Sequence, residues 1–168
     1  FALSEALMNV LENHKTTKAE EEALKREIGS LKLTREEVKE IVPTIARGSV
    51  LGFFIGVLPG AGATIASFLA YGMERSIASA KDKLKFGKGS LKGLAAPESA
   101  NNAACSGSFV PLLTLGIPGS GTTAIILGAL ISYGVQPGPT MYVDSPALFW
   151  SVIISMYIGN LVLLFLNL

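Results

Sequence analysis

From Gly93 to Leu168 the chain carries no lysine and no arginine, and only two acids, Glu98 and Asp144. A soluble fold covers its outside with charged side chains, which make up about a quarter of an average soluble domain. A stretch of this length with two charges has no such cover. Lipid asks for none, so the pattern predicts an all-α fold, a polytopic membrane protein fragment. The whole sequence agrees, with 49% hydrophobic and 16% charged residues and a mean hydropathy of +0.48. Charge collects instead in residues 1–47, which hold eight Lys/Arg and nine Asp/Glu. The expected division is a polar, helical cytoplasmic loop over 1–46 and a transmembrane region over 47–168.

Other classes lose support quickly. A net charge of +1 gives no electrostatic case for nucleic acid. The single cysteine, Cys105, leaves no internal disulfide and no thiol cluster for a metal. No charged n-region precedes an apolar h-region, so no signal peptide is expected. The chain opens on Phe1 and closes on the apolar Leu166-Asn167-Leu168. The expectation is an internal fragment of a longer polypeptide, with further spans on its flanks.

Within the polar part, Lys18–Ile28 is rich in helix formers, and Glu21–Lys25 and Glu22–Arg26 sit at i,i+4 in the favourable order. Thr34-Arg35-Glu36-Glu37 is a capping box. It predicts a second helix from about Arg35, carrying Val38, Ile41 and Val42 to a membrane or partner surface and ending before Pro43. His14, alone in its region, reads as a surface residue.

Residues 48–73 are apolar and uncharged, but Pro59-Gly60-Ala61-Gly62 interrupts them. Proline removes a backbone donor and glycine weakens a helix, so two half-helices are predicted. Gly48, Gly52, Gly56 and Gly60 recur four apart and would make one smooth packing face. Arg75, Lys81, Lys83, Lys85, Lys88 and Lys92 then outnumber Glu74 and Asp82, which assigns this loop to the cytoplasm. Eight basic residues also precede the first apolar segment, so residues 48–73 read as a re-entrant hairpin tipped by Pro59–Gly62, with a simple span as the alternative because that flank is nearly balanced in charge.

Residues 93–134 are too long for one span and break at Pro118-Gly119-Ser120-Gly121. Two rows of small residues, Ala95/Ser99/Ala103/Gly107 and Ala96/Ala100/Ala104/Ser108, predict tight packing in a bundle. Gly134–Pro139 is a turn-rich loop without a basic residue, expected on the periplasmic side. Residues 146–166 make an ordinary span, with Tyr142 and Trp150 as an interfacial belt.

The sharpest feature is an internal echo. Leu58-Pro59-Gly60-Ala61-Gly62-Ala63-Thr64 corresponds to Ile117-Pro118-Gly119-Ser120-Gly121-Thr122-Thr123, and each precedes an apolar stretch ending in Tyr-Gly. Matching Gly/Pro interruptions in hydrophobic segments are the best sequence pointer to a transporter binding site. A broken helix frees backbone polar groups at membrane depth, each costing several kcal/mol unless protein, water or ligand satisfies it. The half-helix after each break presents free N–H groups and a positive dipole end, which suits a carboxylate. The candidate substrate site is therefore Pro59, Gly60, Ala61, Gly62, Ala63 and Thr64 with Pro118, Gly119, Ser120, Gly121, Thr122 and Thr123. The hydroxyls of Thr64, Ser120, Thr122 and Thr123 would add contacts to an anion or a cation. The structural alternative is a pair of kinks with no ligand.

A second constellation is Pro97-Glu98-Ser99-Ala100-Asn101-Asn102. Asn101 and Asn102 fall at i+3 and i+4 from Glu98, so a helix would put all three on one face. An intramembrane acid is by default functional: a proton carrier, or part of a sodium site near Glu98, Asn101 and Asn102. Glu98, Ser99, Asn101 and Asn102 are the candidate ion-coupling residues. The alternative makes Pro97 the first residue of a helix, with Glu98 merely complementing the dipole of its first turn. Phe86-Gly87-Lys88-Gly89-Ser90 is no phosphate loop, because no Ser/Thr follows its lysine. Gly60-Ala61-Gly62 is half a dinucleotide fingerprint without its strand and helix. The membrane part has no histidine for a triad or a zinc site.

These motifs occur in an order that resembles a known family. Gly56–Phe68, Phe86–Gly89, Ala96–Ala103, Pro111–Gly121 and Pro137-Gly138-Pro139 are similar to the large membrane permease subunit (TctA type) of bacterial tripartite tricarboxylate transporters. The resemblance covers roughly 47–168, leaving 1–46 as a variable loop. It implies an ion-driven importer of carboxylates in the bacterial inner membrane, a multi-pass protein. It implies as partners a small membrane subunit and a periplasmic solute-binding protein. It implies no enzyme and no cofactor beyond Na⁺ or H⁺ as coupling ion. The family chain is longer, so a complete site is not expected in this fragment. The rival readings are a non-transporting membrane scaffold or assembly subunit, and an intramembrane hydrolase, for which the membrane part offers no nucleophile–base pair.

Overall fold

The computed structural model describes residues 32–166; the helix expected over Lys18–Ile28, its ion pairs and His14 lie outside the described residues. Among the described residues eight helices follow in order: α1 (Arg35–Val57), α2 (Gly62–Ile77), α3 (Ala80–Lys83), α4 (Leu91–Gly107), α5 (Phe109–Leu115), α6 (Gly121–Ser132), α7 (Met141–Asp144) and α8 (Pro146–Leu166). The described residues contain no strand, as an all-α membrane fragment requires. By length and composition α1 and α8 can each cross a membrane.

Helix α1 starts directly after Thr34, where the capping box puts it. Pro43 does not end it, contrary to the sequence expectation: α1 runs on unbroken to Val57. Pro43 lies on an exposed face, where the carbonyl it leaves without a donor is open to solvent.

The chain reverses at the first Pro-Gly-x-Gly motif. Leu58 donates its amide to Ile55 O, Ala61 donates to Leu58 O, and both Gly60 (φ +80°) and Gly62 (φ +68°) occupy the left-handed region. Only glycine enters that region cheaply, which is why the turn needs this sequence. Helix α2 therefore returns alongside α1 as a helical hairpin with Pro59–Gly62 at its tip. Its feet are locked together. The Arg47 fork holds the Glu74 carboxylate through Nη2–Oε1 at 2.7 Å and Nε–Oε2 at 3.1 Å. Thr44 donates its hydroxyl to Glu74 Oε1 at 2.8 Å, and both Thr44 and Glu74 are buried.

Helix α4 packs into this hairpin. Gly48, Gly52 and Gly56 lie against Ala96 and Ser99, Ala100, and Ala104, so closely that a Cβ at Gly52 or Gly56 would collide with α4 backbone. Gly107 answers from the other side, with Phe53 O only 2.5 Å from where its Cβ would stand. Ala96, Ala100, Ala104 and Ser108 form the buried row, while Ala95, Ser99 and Ala103 are only partly covered. The expected glycine stripe ends one step early. Gly60 leaves the helix to make the turn, and nothing lies within 4 Å of its Cβ position.

Helix α4 begins at Leu91, with Ser90 Oγ accepting from Gly93 N, so Pro97 is inside the helix and not at its first position. This overturns the dipole alternative for Glu98, which sits in the helix interior. Ser67 donates its hydroxyl to Pro97 O at 3.2 Å, tying α2 to this point. At Ser108 the chain passes from α4 to α5. Pro111, four residues after Gly107, cannot donate to the Gly107 carbonyl, and this weakens the ladder there. Gly116 (φ +69°) closes α5. Gly138 donates to Leu113 O, and Pro137 O lies 2.7 Å from the Gly116 Cβ position, so the Gly134–Pro139 loop seats against the second break.

Below the hairpin feet, Lys92 at the start of α4 reaches Asp82 Oδ2 at 3.4 Å and Glu40 Oε1 at 3.6 Å. The Ser79 hydrogen bond, then Lys92, hold the half-buried Asp82 carboxyl below its usual range.

Candidate functional site

The two broken motifs meet. Gly60 N–H donates to Gly119 O at 3.2 Å, joining turns that lie far apart in sequence. Gly119 fits only because it lacks a side chain: its Cβ position is 2.9 Å from Ser108 Cβ and 3.1 Å from Gly56 O. A cleft of about 390 Å³ opens beside this contact. Gly60, Gly62, Ala63 and Thr64 line it from the first motif, and Ser120, Gly121, Thr122 and Thr123 from the second. Pro59, Ala61, Pro118 and Gly119 shape the turns but are not on its wall.

The two helix N-termini that face this cleft differ. Helix α2 begins after Ala61, which has helical torsions and offers no side-chain cap. Its first amides keep the unsatisfied state of any helix start. Helix α6 is capped by its own sequence. Ser120 Oγ accepts from Thr123 N at 3.2 Å, and Thr123 Oγ1 accepts from Ser120 N at 2.8 Å. Thr123 Oγ1 also donates to Ser120 O at 2.9 Å and is buried. The Ser120 and Thr123 hydroxyls expected to meet a ligand are thus engaged in the capping box. Thr64 and Thr122 remain exposed.

Sequence reasoning missed the third wall of the cleft, made by Ala104, Cys105, Ser108 and Phe109. The signal is in the Ala96/Ala100/Ala104/Ser108 row, whose spacing announces packing and not the lining at its far end. It also missed the Arg47–Glu74 pair. Arg47 lies as far before Pro59 as Glu74 lies after Gly62, the equal spacing that a hairpin needs to bring its feet together.

The Glu98 group divides. Glu98, Ser99 and Asn102 line a second, open cavity of about 730 Å³ together with Ser49, Ser106 and Asn160. Asn101 lies in a different groove, with Thr64, Ser67 and Tyr71, and its Oδ1 accepts from the Cys105 thiol at 3.7 Å. Asn101 and Asn102 flank Glu98 on opposite sides, about 100° apart around the helix, and so line different openings. Carboxylate and amide oxygens of Glu98 and Asn102 suit a hard cation. Among the described residues no three His, Cys, Asp or Glu come together as a metal cluster.

The family model of the tripartite tricarboxylate transporter TctA family matches residues 1–168, beyond the 47–168 covered by the motifs. The chain belongs to the tripartite tricarboxylate transporter TctA family. It is 48% identical over 148 residues to an uncharacterized 52.8 kDa protein of the TAR-I ttuC' 3' region of Agrobacterium vitis, covering 85% of this chain and 29% of that protein. It is 52% identical over 117 residues to an uncharacterized protein of the TAR-II ttuC' 3' region of the same organism, covering 70% of this chain and 48% of that protein. The chain thus spans between about a third and about half of these relatives. No solved structure matches it. TctA is a family of membrane transporters, and α1 and α8 fit that setting.

Proposed function

We propose that this chain is the substrate-holding part of the permease subunit of an ion-coupled secondary transporter that imports carboxylates. In this reading the permease is a multi-pass protein of the bacterial inner membrane. It works with a small membrane subunit and takes its cargo from a periplasmic solute-binding protein. The observation that carries the reading is the Gly60–Gly119 contact, with one cleft lined from both motifs. About 390 Å³ is within the range of small-molecule sites, roughly 300–1,000 Å³.

The mechanism follows from charge. No lysine or arginine occurs from Gly93 onward, and none lines the cleft. A bound carboxylate would therefore lean on backbone dipoles: the uncapped amides of α2 and the outer amides of α6 at Gly121 and Thr122. Thr64 and Thr122 supply hydroxyl donors. The remaining compensation is a co-transported Na⁺ or proton held by Glu98 with Asn102. Both ends of the α1–α2 hairpin lie on the cytoplasmic side, where Lys81, Lys83, Lys85 and Lys88 collect.

The test is uptake of a panel of di- and tricarboxylates into proteoliposomes holding the full-length permease and its partner subunits. A Na⁺ gradient, a proton gradient or neither is imposed. Gradient-driven accumulation of one carboxylate class supports the reading. No accumulation, with no thermal stabilisation by any carboxylate, would leave the scaffold reading in its place.

A further inference from the structure

The cleft and the Glu98 cavity have two lining residues in common, Cys105 and Phe109. Glu98, Cys105 and Phe109 are seven and four positions apart, which stacks them along one ridge of the α4–α5 rod. Ala104 and Ser108 fall on the cleft side of that ridge, Asn102 and Ser106 on the cavity side. Phe109 carries the largest side chain of the ridge, so its ring is the bulk of the partition. It is also the first residue of α5, directly after Ser108 and two before Pro111, where the helical ladder lacks a donor.

We propose that Phe109 is the positioning residue that couples the two sites, a movable partition between a cation at Glu98 and a carboxylate in the cleft. This rests on the carboxylate reading above. The physical argument has two parts. From Glu98 to Cys105 is two helical turns, about 10 Å along the axis. With no basic side chain on either wall, a carboxylate and an ionised Glu98 repel across that span, and a cation at Glu98 relieves the repulsion. Each ligand therefore favours the other. Tight coupling also requires that neither moves alone, which needs an obstacle both can bias. Phe109 faces both compartments from a weakened point in the backbone, and a two-state element biased by both sites is what coupling consists of.

The experiment measures the ratio of ion flux to carboxylate flux in proteoliposomes containing the full-length permease and its partners. Wild type, F109A and F109L are compared. F109A is expected to raise the ratio several-fold and to pass ions when no carboxylate is present. F109L, which keeps bulk and apolar character, is expected to hold the ratio near that of wild type. An unchanged ratio in F109A overturns the proposal, as does the same ratio change in both variants. If F109A fails to insert, F109V replaces it, read by the same ratio. Failure of the carboxylate reading itself looks different: wild type then shows neither carboxylate flux nor stabilisation by carboxylates.

Discussion

The amide of Gly60 and the carbonyl of Gly119 are hydrogen-bonded at 3.2 Å, and through this one bond the tip of the α1–α2 hairpin is held to the gap before α6. It satisfies one donor and one acceptor that two broken helices would otherwise leave open. Around it the two repeats are not equivalent. The second has serine where the first has alanine, so α6 caps itself and α2 does not.

That difference predicts an effect of Ser120→Ala. Losing the cap should cost about 0.5–2 kcal/mol of stability. It also frees the Thr123 amide at the cleft. The checks are thermal unfolding in detergent and carboxylate affinity by ligand-induced stabilisation. The expected outcome is a less stable protein that still responds to ligand. A variant as stable as wild type would mean that the box contributes nothing.

Glycine positions should separate sharply by what faces them. Gly52→Ala and Gly56→Ala put a methyl group into the α4 backbone at Ala100 and Ala104, which cannot rotate away. Overpacking of this kind costs about 1–3 kcal/mol, occasionally more. Gly72→Ala, on α2 with open space around it, should be neutral or stabilising by roughly 0.5–1 kcal/mol. Melting temperatures of the three variants, measured side by side, check this.

The hairpin feet should respond unequally to truncation. Arg47→Ala leaves the buried Glu74 carboxylate with the Thr44 hydroxyl as its one remaining side-chain donor, a loss of about 1–3 kcal/mol. Glu74→Ala leaves Arg47, whose side chain is 42% exposed and can take up water, so it should cost less. Thermal stability of both single variants decides, and equal losses would contradict the burial difference.

Much of this architecture was legible in the chain. The Thr34–Glu37 box fixed the start of α1, the two Pro-Gly-x-Gly motifs marked the breaks, and the apolar run over 146–166 became α8. Proline misled at Pro43, and Pro97 left open an alternative that the helix start at Leu91 removes. Pro43 and Pro97 both lie within helices, since one missing bond costs less than the packing of the turns on either side of it. The meeting of Gly60 with Gly119 could not be read, since no local pattern encodes contact between motifs so distant in sequence. The separation of Asn101 from Asn102 could have been, because neighbours on a helix diverge by about 100°.

That separation yields its own prediction for ion coupling. Glu98→Gln and Asn102→Ala share a cavity and should each impair ion-dependent uptake while the protein still inserts. Asn101→Ala, in another groove, should leave the ion dependence close to that of wild type. The measurement is initial uptake rate against Na⁺ concentration and against pH. Wild-type ion dependence in Glu98→Gln would remove that carboxylate from the mechanism.

Cys105 offers a direct probe of the cleft. It is the single cysteine of this sequence, it is exposed, and it lies on the ridge shared by the cleft and the Glu98 cavity. A charged thiol reagent must enter one of these spaces to reach it. In the full-length permease, with cysteines outside this segment replaced, the transported carboxylate should slow labelling of Cys105 several-fold. A cysteine introduced at Leu84, 76% exposed on the basic loop, should label at the same rate with or without ligand. A ligand among the Gly62–Thr64 and Gly121–Thr122 amides fills the cleft but not the Glu98 cavity, so a cysteine introduced at Thr64, which lines the cleft and not that cavity, is the control: labelling of both positions unaffected by a carboxylate that the protein transports would place the bound substrate elsewhere.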